Sequence, residues 1–70
     1  MSYKAIIERG TGSWGAYVRD LPGCIATAGT RERVEQLIRE AVDAHIALLR
    51  ERGEPVPQPT TVAAIDVGAA

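Results

Sequence analysis

Between residues 20 and 30 the chain reverses direction and then changes its hydrophobic period, and any fold it adopts has to accommodate both events. The reversal is written in Leu21-Pro22-Gly23-Cys24. Proline presets φ at the second position of a turn, and glycine accepts the positive φ that a type II turn demands at the third. The change of period follows at Gly29-Thr30, a flexible joint and then a residue whose hydroxyl suits a helix N-cap.

Upstream of the turn the pattern is that of strands. Residues 3–9 (YKAIIER) are rich in β-formers, Gly10-Thr11-Gly12-Ser13 reads as a flexible loop, and residues 14–20 resume a strand pattern. In that second strand Trp14, Ala16 and Val18 fall on one face, and Gly15, Tyr17 and Arg19 on the other. Cys24 to Ala28 makes a short third strand, so residues 1–29 are expected to form a three-stranded antiparallel meander.

Downstream, residues 31–52 carry a helical stripe of Val34, Leu37, Ile38, Ala41, His45, Leu48 and Leu49. Glu32 in the first turn and Arg50 and Arg52 in the last complement the helix dipole. Glu35 and Arg39 can pair at i,i+4, and Gly53 supplies a C-terminal cap. The helix is thus placed over residues 30–53. At ~1.5 Å per residue it runs about 33 Å, against about 23 Å for a seven-residue strand at ~3.3 Å each, so one end overhangs the sheet.

Residues 54–59 set Pro55, Pro57 and Pro59 at alternate positions, which blocks helix and sheet interior and favours a stiff, extended connection. Residues 60–67 are β-branched enough for a last strand. The expected fold is α+β, in the order βββαβ. The last strand joins the sheet through a right-handed crossover that lays the helix over one sheet face. The other face has no second helix, although the strands carry apolar side chains on both sides, and this imbalance predicts association into a homo-oligomer. The need is sharpened by size, because 70 residues make one small domain with little core to spare.

Composition narrows the function. Hydrophobic residues at 46% and charged residues at 24% describe an ordinary globular chain. A formal net charge of -1 gives no field to attract nucleic acid or an anionic membrane. The single cysteine forms no internal disulfide and pairs with no histidine at metal-ligand spacing, and the N-terminus has no long apolar run. A cytoplasmic protein without cofactor or metal is expected.

Catalysis finds little support. Cys24 at a strand start reads as a packed thiol, and His45 on the apolar stripe reads as a half-buried boundary residue, so the two make no nucleophile and base pair. Glu8, Asp20 and Asp66 are the acidic residues near expected strands, and a metal-dependent nuclease would need them to converge. Asp20, at the head of the turn, is accounted for by hydrogen bonds to backbone N–H groups. Gly10-Thr11-Gly12 opens no helix and is no phosphate loop. No catalytic residue is assigned. Trp14 is the best candidate for an interface anchor.

The ordered set of a Tyr3 strand, Trp14-Gly15-Ala16-Tyr17-Val18, Asp20-Leu21-Pro22-Gly23-Cys24, Gly29-Thr30 and a helix ending in Gly53-Glu54-Pro55-Val56-Pro57 resembles the HicB-like family of antitoxins. The likeness runs from Tyr3 to about Pro59. It implies a partial RNase-H-like fold that lacks the nuclease carboxylates, assembly into dimers or tetramers, and the covering of a HicA-type toxin, a small RNase that cleaves mRNA. Full-length members also carry a C-terminal DNA-binding domain; a chain ending at Ala70 is expected to lack it and to bind no nucleic acid on its own. The residues expected to touch a partner are Trp14, Tyr17, Arg19, Asp20 and Pro22. A self-assembling structural or regulatory module with no toxin remains open beside the antitoxin reading.

Overall fold

The computed structural model describes residues 3–60. Three strands, β1 (Ala5–Gly10), β2 (Ser13–Val18) and β3 (Ile25–Ala28), are followed by one helix, α1 (Arg31–Glu51). The strands form one antiparallel sheet in the order β1-β2-β3, and the class is α+β as expected. The last strand expected over residues 60–67 lies, apart from Thr60, outside the described residues.

The first hairpin is tighter than the sequence suggests. Gly10 pairs with Ser13, so only Thr11 and Gly12 remain in the loop, and Gly12 takes φ 71° to close it. The second reversal follows the turn chemistry: Gly23 has φ 85°, and the Cys24 amide donates to the Leu21 carbonyl at 3.0 Å. Two further bonds, Val18 N–H to the Cys24 carbonyl and Leu21 N–H to the Val18 carbonyl, each 3.2 Å, hold this connection to the strand ends.

The helix begins and ends on side-chain and glycine chemistry. The Thr30 hydroxyl accepts from the Arg33 amide at 3.2 Å, which satisfies one of the first-turn donors. At the other end the Gly53 amide donates to the Arg50 carbonyl (3.1 Å) and the Glu54 amide to the Leu49 carbonyl (2.9 Å). With Gly53 at φ 70° this is a Schellman motif. Glu35 does not pair with Arg39; the Arg31 guanidinium one turn earlier takes it at 3.2 Å, and Arg33 bonds Gln36.

The core lies between the helix and one sheet face. Ala16, Val18, Leu21, Cys24, Val34 and Ile38 are buried, with Tyr3, Ile7, Trp14, Ala26, Ala28, Ala41, Val42 and Ile46 packed against them. The helical stripe therefore follows i, i+4 steps through Val34, Ile38, Val42 and Ile46. This corrects the expected stripe: Val42 and Ile46 replace its C-terminal part, and Leu48 is 43% exposed. The reason is the i, i+4 repeat, which keeps Val34, Ile38, Val42 and Ile46 in one line on the side of α1 that packs on the core.

The helix lies chiefly over β2 and β3. Beside β1 this leaves a groove of about 840 Å³ lined by Tyr3, Ala5 and Ile7 on one wall and Ile38, Val42 and Ile46 on the other. After the helix the chain returns to this end of the sheet. The Tyr3 hydroxyl donates to the Pro57 carbonyl, and the Thr60 hydroxyl donates to the Asp20 carboxylate.

Candidate functional site

Alternation along the strands assigns their side chains to two faces. Ala5, Ile7, Trp14, Ala16, Val18, Ala26 and Ala28 serve the helix side. On the opposite side the register places Ile6 beside Tyr17 and Tyr17 beside Ile25. This is a continuous apolar row across all three strands. No element among the described residues covers it, and Ile25 is 68% exposed, the most open large apolar side chain of the described chain. The next row toward the hairpin is Glu8, Gly15 and Thr27.

The five residues expected to contact a partner fall into three places. Trp14 lies at the hairpin end on the helix side, packed against the core, with the Arg9 guanidinium 5.8 Å from its ring centre. Arg9 and Trp14 are cross-strand partners, so the stacking is built by the register itself. Tyr17 stands in the open row, and Arg19, exposed, follows just beyond the end of β2 on the same alternation. Asp20 and Pro22 belong to the turn at the far end of the sheet. Pro22 is exposed, while Asp20 is half-buried and accepts from Thr60. The geometry unites Tyr17 and Arg19 and separates them from Trp14.

Sequence reasoning named Tyr17 but not its neighbours Ile6 and Ile25 as surface residues. The signal that finds them is the register: once Ala16 is opposite Ile7, Tyr17 must lie beside Ile6 on the other face.

For chemistry at a reacting group the arrangement offers little. Cys24 is buried, and burial raises its thiol above the ordinary value of 9.0, which disfavours the nucleophilic thiolate. Among the described residues no three His, Cys, Asp or Glu side chains gather as metal ligands. Glu8 sits on the open face toward the hairpin, Asp20 at the opposite end of the sheet, and Asp66 lies outside the described residues. No helix among the described residues is long and apolar enough to cross a membrane.

The described residues thus define a small α+β domain, one helix on a three-stranded sheet, with an apolar row open on the other sheet face. Residues 3–68 match the model of the HicB-like antitoxin of bacterial toxin-antitoxin system, and the chain belongs to that family. Neither the curated proteins nor the solved structures gave a match.

Proposed function

We propose that this chain is the binding half of a toxin-antitoxin pair, which masks a HicA-type RNase by covering it and performs no catalysis of its own. The observation that carries the reading is the family match over residues 3–68, which includes the Asp20-to-Thr30 block. An mRNA-cleaving partner places the action in the cytoplasm. Co-expression with the product of the adjacent reading frame tests it: the two proteins co-purify and growth is rescued. A neighbour that is not toxic, or that is toxic and neither bound nor neutralised, overturns it.

The division of Trp14, Tyr17, Arg19, Asp20 and Pro22 among three patches supports a chain with more than one contact, a toxin and a copy of itself. Self-association is favoured by one specific observation, the open row Ile6, Tyr17 and Ile25. Light scattering on the purified protein reads it directly, and a monodisperse monomer at high concentration removes it. A self-assembling module with no toxin is the reading left if the chain associates but the neighbouring gene product is inert.

The same proposal extends the fold to a partial RNase-H-like βββαβ arrangement. Supporting it are the outer side of β1, which has no strand partner among the described residues, the apolar groove beside it, and the Thr60 to Asp20 bond that brings the chain to the start of β1.

A further inference from the structure

We infer that the open sheet face is the self-association surface and that a second copy packs on it across a two-fold axis running along the row Ile6, Tyr17 and Ile25. The inference rests on the self-association reading above and assigns its surface and register. Three features of the face point to a second copy.

The first is charge. On β1, Glu8 lies two residues beyond Ile6 toward the hairpin, and Lys4 lies two residues before it, so both share the face of Ile6 on opposite sides of the row. A two-fold along the row exchanges those two sides. Each Glu8 carboxylate then meets the Lys4 ammonium of the other copy, twice per dimer. The surface is its own electrostatic complement, as an isologous contact requires.

The second is shape. The same axis exchanges the two flanks of Tyr17 on β2, so that Arg19 of one copy comes over Gly15 of the other. Gly15 has no internal reason to be glycine. Its φ is not positive, and a Cβ built there would meet nothing nearer than the Ala26 carbonyl at 4.0 Å. Glycine within a strand costs stability, and where the strand is regular it often marks a site that another backbone or a ligand approaches closely. The missing side chain leaves room for the arginine stem.

The third is continuity of apolar surface. Ile6, Tyr17 and Ile25 meet their own images along the axis, which buries an isoleucine otherwise 68% exposed together with an aromatic side chain of the type that anchors interfaces.

Sedimentation equilibrium on four samples, the natural chain, K4E, E8K and an equimolar mixture of the two variants, tests the proposal. Each variant carries two like charges on that strand, so it repels its own copies and attracts the other variant. The natural chain is expected to dimerise, each variant alone to associate about tenfold or more weakly, and the mixture to recover dimer. Recovery in the mixture also shows that both variants are folded. G15T is a third variant: a β-branched residue is tolerated within the chain, so its thermal midpoint stays level or rises at dilution while its dimer is lost. A natural chain that is monomeric overturns both this proposal and the self-association reading. A dimer that persists unchanged in K4E, E8K and G15T overturns the assigned face and leaves self-association standing.

Discussion

The amide of Cys24 donates to the carbonyl of Leu21, and the side chains of the same two residues are both buried in the core, Leu21 completely. The turn is therefore anchored at each end by packing, with Pro22 and Gly23 alone left outside. A segment that connects two strands on the surface also contributes the largest fully buried side chain.

Truncation of that anchor should be severe. Leu21→Ala removes a side chain with no exposed surface, a change that costs about 2 to 5 kcal/mol. In a domain this small such a loss is a large share of the total stability. Urea denaturation is expected to show a midpoint shifted far down or a chain unfolded without denaturant, and a shift as small as that of an exposed site such as Pro22→Ala would contradict the assignment.

Gly23 isolates the backbone part of the same turn. Its Cβ position is open, with nothing within 4 Å, and its φ is 85°, so Gly23→Ala adds no clash and only forces an L residue into left-handed space. The expected loss is about 1 to 2 kcal/mol. Gly15→Ala, at a strand position with ordinary φ, is the control and should show no such penalty in the monomer.

The helix cap makes a narrower prediction. Thr30→Ala deletes the acceptor for the Arg33 amide and should cost about 1 kcal/mol, while Thr30→Asp retains an acceptor and adds a favourable charge at the helix start. Thermal unfolding that ranks alanine below threonine and aspartate supports the cap; equal midpoints for all three exclude it.

Cys24 links stability to pH on the alkaline side. Its folded-state thiol is held above the ordinary 9.0 by burial, so above that value the unfolded chain releases a proton that the native chain keeps. The unfolded state then binds fewer protons, and stability falls as pH rises through this window. Well below 9.0 the thiol is protonated in both states and contributes no pH dependence. Denaturation midpoints for the natural chain and Cys24→Ala should differ in slope only on the alkaline side, and alkylation of Cys24 should be slow until the chain unfolds.

Most of the architecture was legible because its signals are local. Thr30, Gly53 and the Pro22-Gly23 pair act through bonds within a few residues, and their positions can be read without knowing the rest of the fold. Leu21 was read only as turn sequence, since nothing in its neighbours says that the turn folds back onto the helix. The helix stripe was half right for a related reason. Val34 and Ile38 belong to the core, but whether Val42 and Ile46 or Leu48 and Leu49 continue the stripe depends on how the helix is rotated against the sheet, which packing between the two decides. At the open face the sequence showed apolar side chains on both sides of the strands and named Tyr17. The row through Ile6 and Ile25 needed the register, which is a property of paired strands and not of any one of them.

The bonds from Tyr3 to Pro57 and from Thr60 to Asp20 bring these four residues to the same end of the sheet. A tag, a fluorophore or a fused protein joined ahead of Tyr3 would start from the end of the sheet that holds Asp20 and Pro57. The Thr11-Gly12 hairpin points away from both. Insertion at Gly12 and fusion at the terminus thus mount cargo on opposite ends of the domain, and a pair of labels placed that way would measure its length along the strands.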